Sequence, residues 1–136
     1  MTPHFTLAEL TATSHRQFDN TPNETEIANL QRLAELLEKV KEALDGKPVI
    51  ITSGYRSKPV NDSVGSSDKS QHRTGCAADF KVPGMTPDAV VKAIIEAGLL
   101  YDQIIREFDA WTHISISDTP RKQALIIDRA GTRPFA

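Results

Sequence analysis

The chain has one cysteine, Cys76, and so can form no disulfide within itself. Its fold has to be held by packing, and redox compartment cannot be read from it. It lacks any apolar run long enough to span a bilayer. It also lacks a basic block or stripe. Sixteen Lys and Arg stand against 18 Asp and Glu, a net charge of −2, which argues against nucleic acid or an anionic membrane as partner. Met1-Thr2-Pro3-His4-Phe5 has no basic start followed by an apolar stretch and does not read as a secretory leader. No repeat, linker or low-complexity tract divides the chain. The expectation is a single domain over residues 1–136, monomeric, with a core large enough to do without staples.

What is present has clear periodicity. Thr6-Leu7-Ala8-Glu9 reads as a capping box opening a short helix. Thr21-Pro22-Asn23-Glu24 reads as a second, with Pro22 at the first helical position. Ile27, Leu30, Leu33, Leu37, Val40 and Leu44 then recur at helical spacing, and Gly46 stops the helix. Pro48–Ser53 reads as a short strand. Residues 54–69 read as a polar loop with room for one helical turn near Val60. Ala77–Val82 reads as a strand with Asp79 and Lys81 on one face. Thr86-Pro87-Asp88 starts a second amphipathic helix, which stops at Gly98. Gln103–Phe108 and Trp111–Ile116 read as a hairpin, Leu125–Ile127 as a weaker strand, and the tail as loose. The expected class is α+β, a small, mostly antiparallel sheet with helices packed on it.

The densest chemistry lies in Ser70-Gln71-His72-Arg73-Thr74-Gly75-Cys76-Ala77-Ala78-Asp79-Phe80. A histidine and an aspartate stand in one loop-to-strand segment, and His113 follows in an apolar strand. Two neutral imidazoles and one carboxylate are the donor set that leaves zinc an open position for water. Singly, each has a plainer role: a loop histidine, a salt-bridge partner of Lys81 or Arg73, a hydrogen-bonded core histidine. Together, their type and number favour His72, Asp79 and His113 as metal ligands. His4 and His15 read as surface residues, and Cys76 as a small buried one.

The segment Ser70, His72, Gly75, Ala77, Asp79 resembles the Ser-x-His-x-x-Gly-x-Ala-x-Asp pattern of the M15 zinc DD-peptidases, the D-alanyl-D-alanine carboxypeptidase and phage endolysin group. Ser53-Gly54-Tyr55-Arg56, followed by Asn61 and Gly65, resembles a second hallmark of that family. Glu107 to His113 resembles a third, loosely. Thr6–Leu10 and the leucine-striped helix look like those of small phage-borne members. One position departs: many relatives carry a carboxylate three residues before the last histidine, and here Ala110 stands there.

The resemblance implies a zinc DD-peptidase-like fold, a Zn2+ cofactor and a peptidoglycan stem peptide as substrate. It implies a proton-transferring carboxylate, for which Glu107 is preferred and Asp109 is the second candidate. A tight turn at Phe108–Trp111 would set Glu107 opposite His113. Arg56 is implied to bind the substrate carbonyl or the developing oxyanion, and Ser70 the substrate's terminal carboxylate or backbone, unless it caps its own loop. Trp111 shares a strand face with His113 and either walls the cleft or packs in the core. The whole is consistent with an endolysin, a virion-borne wall hydrolase or a bacterial carboxypeptidase. Such a protein would be made in the cytoplasm and reach the wall by release or on a virion. The rival is a non-catalytic module of a phage tail that binds zinc or wall peptide.

Overall fold

Asn23 starts the longest element. Its side chain accepts from the Glu26 amide at 2.8 Å, and the Glu26 carboxylate accepts from the Asn23 amide at 2.8 Å. This reciprocal cap satisfies two of the free N–H groups at a helix start. In the computed structural model, which describes residues 1–135, helix α2 therefore runs Glu24–Ala43. The expected cap at Thr21 is displaced by two residues. Thr21 instead turns its amide and hydroxyl onto Asp19 Oδ1, and Pro22 lies outside the helix. Helix α2 buries Leu30, Leu33, Ala34, Leu36, Leu37 and Val40, the three-and-four spacing of one helical face. Ile27 stays exposed.

Around α2 the order is α1 (Leu7–Thr11), β1 (Ile50–Ser53), α3 (Lys58–Ser63), a 3-10 turn (Gln71–Thr74), β2 (Ala77–Lys81), α4 (Pro87–Glu96), β3 (Gln103–Glu107), β4 (Trp111–Ser115), β5 (Gln123–Asp128) and β6 (Gly131–Pro134). The Thr6–Glu9 box closes as expected, and Thr86 caps α4 through the Ala89 amide at 3.1 Å. The strands form one sheet in the order β1-β2-β4-β3-β5-β6. All pairs are antiparallel except β3 with β5. The class is α+β with a mostly antiparallel sheet, as the sequence suggested.

The pleat divides β2, β3 and β4 into two faces. Ala78, Phe80, Ile104 and Ile114 join α2 and α4 in a single apolar cluster with Phe5, Leu10 and Tyr101. By register the opposite face carries Asp79, Ile105, Glu107, Trp111, His113 and Ser115. The core thus fills one side and leaves the polar residues together on the other.

The tail is not loose. Gly131–Pro134 pairs with β5, and Arg133 makes a two-pronged ion pair with Asp128, at 2.9 and 2.8 Å. The Phe135 amide donates to Ala124 O at 2.9 Å, and Phe135 packs on the core. Pairing to a neighbouring strand and an apolar anchor override a composition that reads as tail. Ala136, the end of the expected domain range, lies outside the described residues.

Candidate metal centre

Two glycines set the loops that reach the polar face. Ser70 caps the 3-10 turn, its Oγ accepting from the His72 amide at 3.3 Å. The turn ends at Gly75, φ +78°, in left-handed backbone. A Cβ there would lie 2.7 Å from the Glu26 carbonyl oxygen, so glycine both reverses the chain and lets it lie against α2. At Gly54 a Cβ would run into the Leu10 carbonyl. That close approach exists because the Tyr55 amide donates to Leu10 O at 2.7 Å, docking the Ser53–Arg56 segment on α1. The Arg56 amide in turn donates to His72 O at 2.9 Å. The two segments singled out in the sequence are thereby bonded to each other.

Asp79 and His113 are cross-strand partners. Asp79 Oδ1 lies 2.8 Å from His113 Nδ1, and Oδ2 lies 3.5 Å from His72 Nε2. The imidazole rings meet edge-on, centroids 5.2 Å apart. One donor atom of each residue lies within 4.8 Å of the others. His72 Nδ1 sits 2.7 Å from Gly54 O. A carbonyl only accepts, so Nδ1 carries the hydrogen and Nε2 turns its lone pair toward Asp79. All three side chains are buried. Burial pushes the Asp79 carboxyl up, but the hydrogen bond from His113 and the nearness of the His72 imidazole outweigh it and hold it well below the usual carboxylate range.

Arg56 reaches the same point. Its Nη2 lies 3.8 Å from Asp79 Oδ2. Nε donates to Ser53 Oγ at 3.2 Å and Nη1 to Asn61 Oδ1 at 3.4 Å. Asn61 is fully buried and holds the following loop through Ser67 O at 2.8 Å. Arg73, one candidate partner of Asp79, faces Glu26 instead, at 3.7 Å.

Glu107 pairs with Trp111, not with His113, which pairs with Ile105. The hairpin loop holds three residues, Phe108–Ala110, two fewer than Glu107 opposite His113 would need. Phe108 and Asp109 both have positive φ, and the Ala110 amide closes back on Glu107 O at 2.9 Å. Glu107 is therefore diagonal to His113, yet on the same face, and its Oε1 lies 3.8 Å from His113 Nδ1. Burial and the Asp79 charge raise its pKa against the smaller opposing pull of His113 and Arg56. A raised carboxylate is a better proton acceptor. Asp109 is exposed in the turn, φ +52°, and forms no ion pair among the described residues.

Trp111 is half-buried, 5.8 Å from the Phe108 ring between centroids. It lines a cavity of about 270 Å³ with Ile50, Lys81, Pro83 and Met85. Its indole N–H leans on the Glu107 carboxylate electrostatically but makes no hydrogen bond to any described residue by distance and angle. Cys76 is only partly buried, with Sγ 4.0 Å from Thr74 O, because it sits on the turn's exit and not inside the strand. His4 and His15 lie outside the centre, bonded to Glu38 and Ser63.

Sequence reasoning missed Gln71 and Asp102. The Gln71 carboxamide donates to Asp102 Oδ2 at 3.0 Å and to Ile116 O at 3.1 Å. Asp102 is an ordinary acid before a strand in the sequence, and only tertiary pairing reveals it as buried.

Donors around a tetrahedral zinc at bond lengths near 2.0–2.2 Å stand roughly 3.3 Å apart. The separations of 2.8 Å from Asp79 Oδ1 to His113 and 3.5 Å from Asp79 Oδ2 to His72 bracket that spacing, one on each carboxylate oxygen. The set is nitrogen, nitrogen and oxygen, with Glu107 and Arg56 each 3.8 Å from one of its members. A model of the family described as Peptidase M15 matches residues 3–115, from before α1 to the end of β4, and so takes in every residue of this cluster. No curated protein matches the chain.

Proposed function

The chain belongs to the peptidase M15 family, and on that premise we propose that it is a zinc-dependent peptidase hydrolysing peptide bonds in peptidoglycan stem peptides, by a DD-carboxypeptidase or endopeptidase action on a zinc DD-peptidase-like fold. The observation that carries the metallopeptidase reading is the buried His72–Asp79–His113 cluster, with an orienting carbonyl behind His72.

Zinc held by those three residues would supply a Lewis acid and a water of lowered pKa. The chain's own groups do the rest. Glu107, diagonal to His113 and with a raised pKa, accepts the proton of the attacking water and returns it to the leaving amine. Arg56, a partly buried cation beside the centre, binds the scissile carbonyl and the oxyanion that grows on it. The Ser70 hydroxyl accepts from the His72 amide but keeps its own hydrogen, free to donate to a substrate carboxylate. Trp111 walls the cleft beside Glu107 and shields the proton transfer from bulk water.

No helix among the described residues is long and apolar enough to cross a membrane. Release at lysis or carriage on a virion would bring the enzyme to the wall, and it would act there as a monomer.

The test is mass spectrometry of purified peptidoglycan after digestion with and without a chelator. Chelator-sensitive loss of a terminal D-alanine indicates carboxypeptidase action. New amino and carboxyl ends within the stem or cross-link indicate endopeptidase action. Intact peptidoglycan with zinc-loaded protein overturns the enzyme and leaves the wall-binding module of a phage tail.

A further inference from the structure

The three ligands do not come from one rigid piece. Asp79 and His113 are locked together by the β2–β4 ladder. His72 comes from the 3-10 turn outside the sheet, so its distance from the other two depends on whatever ties that turn to β4. Backbone bonds supply part of the tie: the Ile116 amide donates to Cys76 O at 2.9 Å and the Cys76 amide to Gln71 O at 3.0 Å.

The side-chain part converges on one carboxylate. Asp102 is 1% exposed, a costly site for a charge unless it is paired and hydrogen-bonded. Its Oδ1 accepts from the Arg121 amide at 2.9 Å and from Arg121 Nε at 3.0 Å. Its Oδ2 accepts from Arg121 Nη2 at 2.6 Å, from Gln71 Nε2 at 3.0 Å and from Ser115 Oγ at 3.5 Å. The Asp102 amide donates to Ser115 O at 2.9 Å. Gln71 precedes His72 by one residue. Ser115 follows His113 by two and lies on the same strand face. One buried anion thus holds the neighbour of one ligand against the neighbour of another.

We propose that Asp102 is a positioning residue for the metal centre, acting through the Gln71 carboxamide to set the reach of His72 toward Asp79 and His113, with Arg121 fixing the orientation of the carboxylate. The proposal rests on the zinc reading given above. Were Asp102 only a clasp for the β4–β5 connection, Arg121 and the backbone would suffice. The bond to Gln71 would then have no bearing on metal. Gln71 is the lever because its carboxamide ends the chain of bonds from Asp102, and methionine matches its length without a donor.

The experiment titrates metal-free protein with zinc alone against a chromophoric chelator, and measures the melting temperature of the same metal-free samples. Gln71→Met should lose about tenfold or more in zinc affinity, the usual cost of removing a group that orients a ligand. Its metal-free melting temperature should stay near wild type, since Gln71 is only partly buried. Asp102→Asn should lose at least as much. The double variant should lose less than the sum of the two single losses, because the Gln71–Asp102 bond is common to both and only the Gln71 bond to Ile116 O is separate. Should Asp102→Asn fail to fold, Gln71→Met decides. A Gln71→Met protein that binds zinc as tightly as wild type overturns the positioning role alone. A wild-type protein that takes up no zinc overturns the metal centre, and this role with it.

Discussion

Asp79 and His113 face each other across adjacent antiparallel strands, with carboxylate Oδ1 2.8 Å from imidazole Nδ1. The ladder sets that pair before any ion arrives. His72 then adds a third donor with its tautomer already chosen by Gly54 O. Preformed donors mean that binding an ion costs little reorganisation.

Purified protein should hold about one zinc per chain, and His72→Ala or Asp79→Ala should hold almost none. Metal analysis after gel filtration decides. Full occupancy in His72→Ala would remove it from the ligand set.

The carboxylate next to the centre separates enzyme from binding module. Glu107→Gln keeps shape and loses basicity, so zinc should stay bound while hydrolysis drops by about 10²–10⁴. Asp109→Asn should change little, because that side chain is exposed in the turn. The readout is release of D-alanine or cleaved stem peptide. Loss of activity in Asp109→Asn with an active Glu107→Gln would reverse the assignment.

Arg56→Ala should lower turnover by about a hundredfold or more, with less effect on KM, since the guanidinium acts most on charge that develops at the oxyanion. Arg56 also bonds Ser53 and Asn61, so the melting temperature must be measured alongside. A loss of stability with turnover intact would make Arg56 a loop strut.

The starts of α1 and α4, the stripe of α2 and the presence of the hairpin were legible because each rests on neighbours in sequence. Leu30, Leu33, Leu37 and Val40 announce a buried face whatever lies opposite. What required the fold was pairing. Glu107 pairs with Trp111 because Phe108 and Asp109 take left-handed backbone, a choice that side-chain chemistry does not announce. The parallel β3–β5 pair and the final strand depend on partners far along the chain. Within the centre, His72, Asp79 and His113 stood out by donor type. Gln71 and Asp102, polar residues without a pattern, did not.

Gly75 couples stability to the centre. Gly75→Ala meets both the left-handed backbone and the Glu26 carbonyl. Gly46 has φ +77° and nothing within 4 Å of a Cβ, so Gly46→Ala carries only the backbone term, roughly 1–2 kcal/mol. Gly75→Ala should cost clearly more in urea unfolding and also weaken zinc binding, because the turn carrying His72 must shift. Equal costs at both positions would mean that the contact with α2 relaxes freely.

Acid should reveal the Asp102 clasp. Hydrogen bonds from Arg121 hold the Asp102 carboxyl at about 2, against the usual 3.8, with burial opposing and Gln71 assisting. The folded pKa lies below the unfolded one. The stabilisation is therefore present in full above the unfolded value and is lost as pH falls from about 4 through about 2. Its size is on the order of 1–2 kcal/mol, towards the lower end because Arg121 is half exposed and screened. Other carboxylates with lowered values, Asp79 and Asp128 among them, titrate in the same range, so wild type alone does not isolate it. The useful quantity is the gap in unfolding free energy between metal-free wild type and Asp102→Asn. That gap should be widest near neutrality and narrow on acidification to about pH 2. A gap that stays constant with pH would show that the loss in Asp102→Asn comes from packing and not from the charged pair.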